Sequence, residues 1–432
     1  MNFRPLRSSV VAIPFFLAAS SIAQAPPASQ TTLTAIKFVG LNSYSEQQAA
    51  LASQLKIGAP VSATQLQSAS DRLAQSGAFD KISYRYTTRG AELSVEFQVT
   101  ETKNRLPCAF DNFVWFSTDE LDRTLRARVP LYDGTVPERG TTSHEISDAL
   151  HAMLQSNGIG GTVDGLPTLN GGKYTNFAFR VDGVPMPVRS IHIPGASAVS
   201  ESELVAAAKE LIGKDYSGTD AEYVASLTLL AIYHRHGYLQ AHFDRPQPSI
   251  AGNNRTGASF DIALTMPVNE GLQYSWDHAA WTGNHKFSPD ELNGFLAMKS
   301  HEVANQDKIN AGLKAIWTAY SKQGFIDATV VPQVSLDEST RLVSYDGAVD
   351  EGIQYKMGQL HITGLADRTS ADLVKKWQIK PGQVYDATYV DDFLKKTAFP
   401  KIIESGKPPG GFEEKLQRDK ENATVDLILT FR

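Results

Sequence analysis

The stretch Val349-Asp350-Glu351-Gly352-Ile353-Gln354-Tyr355 decides how the chain is interpreted, because it recurs 81 positions earlier as Val268-Asn269-Glu270-Gly271-Leu272-Gln273-Tyr274. Five of the seven residues are identical, and the other two pairs are chemically close. Glu270-Gly271 and Glu351-Gly352 therefore predict a seam, where one folding unit ends and the next begins. A repeat this short carries weight only if other signals recur in the same register.

Two sets of glycines recur in that register. Helix-like segments are followed by a glycine, which reaches positive φ at no steric cost and so ends a helix well, at Gly77, Gly158, Gly237, Gly324 and Gly411. The steps between them are 81, 79, 87 and 87 residues. A second set ends the first strand of a unit, at Gly40, Gly195, Gly283 and Gly364. The second unit lacks this glycine, and we expect Asp111-Asn112 to take its place.

Between these glycines the hydrophobic pattern alternates between the helical and the extended period. Each unit has the order strand–helix–helix–strand–strand, and repeats of this size indicate an array of small domains. The sequence predicts an α+β fold with five β-α-α-β-β units in tandem. Their boundaries are 33–101, 105–186, 188–270, 272–351 and 353–432.

The first 25 residues are predicted to be a signal peptide. Arg4 and Arg7 give a basic start, and a short apolar run from Val10 to Ala19 follows. Small residues allow cleavage after Ala23 or after Ala25. An uncleaved membrane anchor is the alternative, but the apolar run is short for a bilayer. Residues 26–32 then form a polar linker, and we expect an exported protein located in the periplasm.

Composition argues against several classes of function. The formal charge of −6 opposes general nucleic-acid binding and gives no reason to expect adhesion to anionic lipid. Cys108, the single cysteine, cannot form an internal disulfide and is expected to be a small buried residue.

No pattern of catalytic or cofactor-binding residues is apparent. His234, His236 and His242 resemble a metal cluster at first, but side chains two apart on a helix diverge by about 200°. Nucleophile-elbow, phosphate-loop and dinucleotide motifs are absent from the sequence. We therefore predict no enzyme activity, no catalytic residue, no metal, no cofactor and no small-molecule substrate.

The repeated features resemble POTRA domains, the polypeptide-transport-associated modules of BamA-like outer-membrane assembly proteins. The resemblance rests on the order of elements, on the helix bend as in Ile379-Lys-Pro-Gly-Gln-Val-Tyr385, on the Gly-Phe or Gly-Tyr after the second helix, and on Glu-Gly at the seam. It covers roughly residues 32–432 and is weakest in the second unit. It implies a three-stranded mixed sheet with two helices on one face in each unit.

The resemblance also implies a function and a site. Such domains form a periplasmic arm that binds outer-membrane barrel proteins, chaperones or envelope assembly subunits, in part by strand addition at a sheet edge. The implied edge is the first strand after the helix pair, at Phe79 to Tyr86, Tyr238 to Phe243, Phe325 to Val331 and Phe412 to Arg418. The predicted contact residues are Phe79, Ile82, Tyr84, Tyr238, Leu239, Phe243, Phe325, Ile326, Val330, Phe412 and Leu416.

Full-length members of that family carry a membrane barrel after the last such domain. Because the five units account for the residues up to Arg432, we expect either a protein without a barrel or a barrel in a separate chain. We therefore expect a non-enzymatic scaffold that meets the inner face of the outer membrane through a partner. A structural spacer with one fixed partner is the alternative. Because only Glu351-Gly352 separates the last two units, they are predicted to move as a semi-rigid pair.

Overall fold

A computed structural model describes residues 31–253, 259–404 and 410–432 of the chain. The predicted signal peptide, residues 1–25, and residues 26–30 of the predicted linker lie outside the described residues. The linker prediction is wrong at its end, because Thr31 and Thr32 already belong to the first strand. The chain divides into two compact units, one ending at Val184 and one beginning at Pro185.

The first unit contains two sheets of four strands, each accompanied by two helices. The first sheet has the strand order β2-β1-β4-β3 and is formed by β1 (Thr31–Val39), α1 (Glu46–Ser53), β2 (Pro60–Val61), α2 (Ala63–Gln75), β3 (Phe79–Arg89) and β4 (Glu92–Glu101). The second has the order β6-β5-β8-β7 and is formed by β5 (Arg105–Phe110), α3 (Thr118–Arg128), β6 (Thr135–Pro137), α4 (Thr142–Ser156), β7 (Thr162–Asn170) and β8 (Lys173–Asp182).

The second unit opens with a three-stranded sheet of order β11-β12-β9 and a separate ladder of two short strands. The elements are β9 (Val188–His192), α5 (Glu201–Ala207), a 3₁₀ turn (Lys209–Leu211), α6 (Gly218–Tyr223), a π turn (Val224–Leu229), α7 (Leu230–Arg235), β10 (His242–Phe243), β11 (Gln247–Asn253), β12 (Phe260–Thr265) and β13 (Val268–Asn269). The ladder joins β10 to β13.

Two further three-stranded sheets complete the second unit. The fourth sheet, of order β14-β16-β15, contains β14 (Ser275–Thr282), α8 (Pro289–Leu296), α9 (Gln306–Lys322), β15 (Thr329–Asp337) and β16 (Leu342–Asp350). The fifth, of order β17-β19-β18, contains β17 (Lys356–Thr363), α10 (Asp367–Lys376), α11 (Thr388–Phe393), a π turn (Leu394–Ala398), α12 (Phe399–Glu404), β18 (Phe412–Asp419) and β19 (Thr424–Phe431).

The same topology underlies these five sheets. The last strand lies in the middle, parallel to the first strand and antiparallel to the strand before it. Its alternate residues are buried, as Leu93, Val95 and Phe97 of β4 are against Leu66 and Leu73 of α2. The α+β fold class is therefore confirmed. Three strands per sheet is wrong for the first two sheets, where β2 and β6 in the helix connection also pair with the first strand.

A close approach of two backbones explains the glycine that ends the first strand. Gly364 has φ +84°, and a Cβ atom there would lie 1.6 Å from the carbonyl oxygen of Phe431. Gly283 repeats this arrangement against the carbonyl of Val349. No side chain fits so close to a carbonyl, so the strand must end in glycine. In the second sheet Asn112 takes the place instead, and its buried amide donates to and accepts from the backbone of Val181 at 2.9 and 2.7 Å.

The prediction of helix-ending glycines is confirmed in four places and wrong in one. Gly77, Gly158, Gly237 and Gly324 follow their helices with φ between +70° and +82°. Residues 405–409, between the last described residue of α12 and Gly411, lie outside the described residues, and Gly411 does not have a positive φ. Its N–H donates instead to the carbonyl oxygen of Arg432, and it precedes the last hairpin.

Candidate functional site

The edge of the first sheet is formed by β3, which carries three of the predicted contact residues. The strand runs over 11 residues with neither proline nor glycine, and among the described residues its ladder partner is β4. Phe79 is buried, and Ile82 and Tyr84 are half-buried against the core. These side chains therefore fix the strand in place, and its outer main chain forms the open edge.

The hairpin register identifies which backbone groups of β3 face outward. Gly90-Ala91 is a two-residue turn, and Arg89 lies opposite Glu92. Residues that flank such a turn form a hydrogen-bonded pair, and hydrogen-bonded and non-hydrogen-bonded pairs then alternate along the strands. Ile82, Tyr84 and Tyr86 fall in the non-hydrogen-bonded pairs. Their N–H and C=O groups therefore point away from β4.

The edges of the fourth and fifth sheets differ in character. In the fourth, β15 begins at Thr329 and includes Val330, whereas Phe325 and Ile326 precede the strand, so the predicted edge starts too early. Val331 and Val334 of β15 are 60% and 51% exposed. In the fifth, β18 has Phe412 on its surface and Leu416 half-buried among charged residues, as predicted for the strand position.

The predicted edge of the third sheet is wrong. Tyr238 and Leu239 lie outside the strands, because the chain turns after Gly237. Phe243 belongs to β10, which pairs with β13 and is not part of the third sheet. The edge strand there is β11, which starts at Gln247.

The second sheet has an edge that sequence reasoning missed. It is β7, whose Leu166 and Leu169 are 71% and 62% exposed. The turn Gly171-Gly172 before Lys173 was the available signal, since two glycines in succession favour a hairpin with a strand on each side.

Proline distinguishes these edges from one another. A proline has no N–H and cannot donate to an added strand, which is one way that proteins protect sheet edges. Pro167, Pro248 and Pro332 lie in β7, β11 and β15. Of the two proline-free edges, β18 has five charged residues among eight, and two of them, Glu413 and Arg418, are held in ion pairs. Strand β3 is therefore the edge best suited to main-chain pairing.

The seam residues build a joint that recurs in the second unit. Tyr274 and Tyr355 are fully buried, and each donates its backbone N–H to the glycine that ends the preceding helix, Gly237 or Gly324, at 2.8 Å. The glutamine before each tyrosine donates to a carbonyl at that helix end, at 2.9 Å from Gln273 and 2.8 Å from Gln354. The joint thereby satisfies carbonyls that a helix end leaves without partners.

The seam glutamates close the loop that follows the first strand. Glu270 accepts from the N–H groups of Ser197 and Ala198 and from the hydroxyl of Tyr233 at 3.0 Å. Glu351 accepts from the N–H of Lys286 and the hydroxyl of Tyr320 in the same way. Gly271 and Gly352 follow with φ +68° and +64°. The Glu-Gly pair is therefore structural. In the first sheet, Glu101 plays the same part and accepts hydrogen bonds from the N–H groups of residues 42–44. Sequence reasoning missed this glutamate.

The hydrogen bonds to the Glu270 carboxylate predict that the stability of this joint falls in acid. Burial would raise the pKa of Glu270, but the hydrogen bonds from Ser197, Ala198 and Tyr233 hold the pKa below its ordinary value. The folded state therefore gains stability from Glu270 above the unfolded pKa and loses it as the pH falls through the lower folded pKa. We expect Glu270→Gln to flatten the acid limb of the stability curve, measured by urea unfolding from pH 3 to pH 7.

A control glutamate separates this effect from a general loss of charge. Glu338 lies in the exposed turn between β15 and β16, so Glu338→Gln should leave the acid limb unchanged. Identical acid limbs for wild type and Glu270→Gln would contradict the assignment.

Over the ranges that the structure describes, no group of three or more histidine, cysteine or acidic side chains is arranged to hold a metal ion. Nor does any helix within those ranges have the length and apolar character needed to cross a membrane.

Part of the chain is similar to a known protein family and to a known relative. A family model described as "POTRA: Surface antigen variable number repeat" matches residues 275–352. A relative from Treponema pallidum (strain Nichols), provisionally described as an outer membrane protein assembly factor, is 24% identical over 198 residues. That match covers 46% of this chain and 23% of the relative, so the chain spans less than a quarter of the relative's length.

Parts of the chain are also similar to solved structures. Domains POTRA3–5 of Haemophilus influenzae BamA match at 21% identity with a TM-score of 0.44, over 57% of this chain and 96% of that one. The N-terminal domain of Omp85 from Thermosynechococcus elongatus matches at 16% identity with a TM-score of 0.26, over 57% and 96%. The family model identifies residues 275–352 as a POTRA domain.

Proposed function

We propose that this protein is a non-enzymatic periplasmic scaffold that binds other polypeptides during outer-membrane protein assembly. Similarity to the Treponema pallidum relative, provisionally described as an outer membrane protein assembly factor, supports a role in that assembly. The shared strand order supports the further proposal that each of the five sheets, with its helices, is one POTRA-like domain within the predicted boundaries, the first of which is extended to Thr31.

The observation that carries the proposal is the open edge of β3. An extended polypeptide that lies beside it can pair with the outward N–H and C=O groups of Ile82, Tyr84 and Tyr86, whatever its own side chains are. Main-chain pairing of this kind suits unfolded clients of varied sequence. The prolines of β7, β11 and β15 and the charged, ion-paired residues of β18 restrict such pairing elsewhere, which makes the first sheet the preferred site.

Proline substitution at Tyr86 tests the proposal. Tyr86→Pro removes one outward N–H and places a ring where the added strand would lie, while the hydrogen bonds to β4 are kept. We expect its affinity for an unfolded outer-membrane protein to fall by about tenfold, the equivalent of one to two hydrogen bonds. Binding is measured by fluorescence anisotropy of a labelled, denatured client diluted into the full-length protein.

Tyr86→Ala is the matched control, because it loses the same half-buried side chain but keeps the N–H. Equal affinities for the alanine and proline variants would refute strand addition at β3. Binding of one stoichiometric partner, with no affinity for several unrelated unfolded clients, would instead favour a spacer. The joints repeated at Tyr274 and Tyr355 would suit that role.

A further inference from the structure

The helix pair of the fifth sheet carries a groove of about 390 Å³ that the proposed function does not use. One wall is the end of α10 and the residues after it, and the other is the π turn with the start of α12. Its polar lining is rich in hydrogen-bond donors. The lining residues are Lys376, Gln378, Lys396, Thr397, Pro400, Lys401 and Glu404.

Local packing fixes the first wall. Trp377 is buried, with its ring 4.9 Å from that of Tyr389 and 5.0 Å from that of Phe393. Lys376, the last residue of α10, and Gln378, on the other side of Trp377, are both exposed. Lys376 and Gln378 are therefore directed out of the core and into the groove.

The second wall depends on the π turn Leu394–Ala398. Leu394 and Ala398 of this turn are buried, while Lys396 and Thr397 between them line the groove. Phe399 continues the helix from this turn, and Pro400 follows it in α12 and lines the groove. Lys401 and Glu404 then extend the same wall. A π turn inside a helix often marks a functional position.

The charges of the groove favour an anion. Three lysines face one glutamate, and Gln378 and Thr397 add neutral donors. Lys396 contacts Asp392 at 3.0 Å, and Lys401 contacts Glu404 at 3.6 Å. Both are exposed pairs within one helical segment, which are weak and easily exchanged for a stronger acceptor. The groove lining therefore has more cations than anions, although the whole chain carries a net negative charge.

We propose that this groove binds a phosphate-bearing anion. Lysine ammonium groups are good donors to phosphate oxygens, and three of them line this one groove. Ile403 is 62% exposed and lies one helical turn after Pro400 of the groove wall. That neighbour suits the phosphate of a lipid head group, although a soluble polyphosphate offers the same chemistry to the lysines.

Two probes distinguish these sources on the full-length protein. Pyrophosphate is titrated by calorimetry at low ionic strength, because salt screens exposed charges. Flotation is then measured with vesicles of phosphatidylglycerol in phosphatidylcholine, and with phosphatidylcholine alone. The test variant combines Lys376→Gln, Lys396→Gln and Lys401→Gln. The control combines Lys356→Gln, Lys415→Gln and Lys420→Gln, which are exposed lysines of the same sheet outside the groove.

We expect wild type and control to bind pyrophosphate and the test variant to lose that binding. With a lipid as the source, the test variant also loses about a hundredfold in binding to phosphatidylglycerol vesicles, as expected for three lysines. Pyrophosphate binding without vesicle binding supports a soluble anion. The proposal is overturned if wild type binds neither probe, or if both triple variants lose binding equally. Neither probe involves β3, so this test is independent of the scaffold proposal.

Discussion

Gly364→Ala is expected to lower the free energy of unfolding of the fifth sheet by about 3 kcal/mol, one of the two largest effects expected of a single substitution. Two costs combine. Alanine is strained at φ +84°, and its Cβ would collide with the carbonyl oxygen of Phe431, which the sheet holds in place. Relief requires β17 and β19 to separate at their ends. Hydrogen exchange of the β19 amides, residues 424–431, measures the loss locally.

Gly382→Ala supplies a matched control in the turn between α10 and α11, the helices that accompany the same sheet. Gly382 has φ +86°, but nothing lies within 4 Å of a Cβ atom built there. This variant meets only the backbone strain, about 1 kcal/mol. The difference between the two variants isolates the close approach of the strand end to Phe431. Equal losses at the two positions would show that the approach has no energetic weight.

Arg105→Ala is expected to destabilise the first unit by about 3 kcal/mol, because its guanidinium is held between two partners. The Arg105 side chain is only 12% exposed, forms an ion pair with Asp133, and lies 4.7 Å from the ring centre of Tyr44. Burial raises the pKa of Tyr44, so this hydroxyl stays neutral beside the cation. Removing the arginine leaves Asp133 half-enclosed without its counter-charge. Urea unfolding of the full chain, with hydrogen exchange of residues 105–110, measures the effect.

An exposed arginine provides the comparison. Arg180 pairs with Asp182 at 3.0 Å, but both side chains are about half exposed. Such a pair contributes at most about 1 kcal/mol, so Arg180→Ala should be nearly silent. If the two alanine variants were destabilised to the same extent, the enclosed position of Arg105 would have no special role.

Sequence reasoning succeeded where one residue type satisfies a backbone requirement. The strand-end glycines could be predicted because only glycine tolerates a carbonyl at the distance seen at Gly364. The seam could be predicted because its polar and aromatic residues recur as a set. Asn112 was anticipated as a substitute, and its amide does make the contact with Val181.

It failed where strand pairing depends on the rest of the sheet. Tyr238 and Leu239 follow a helix-ending glycine just as Phe79 follows Gly77. In the third sheet, however, the next strand, β10, pairs with β13, so the edge strand of the sheet is β11, which begins at Gln247. The π turns were also missed, because one extra residue in a helix barely changes its hydrophobic period. The lysine groove could not be predicted for a related reason. Lys376 and Lys401 come together only through the packing of Trp377 and the π turn at Leu394–Ala398.

The joint at Tyr274 and Tyr355 has a consequence for how such a chain can evolve. The segment from Tyr274 to Gln354 begins with the tyrosine of one joint and ends with the glutamine of the next, and its own helix-ending glycine, Gly324, receives Tyr355. A tandem duplication of that segment would therefore give each new copy a compatible neighbour on both sides. Arrays of different length can arise from this chain by unequal recombination, with no further mutation at the boundaries.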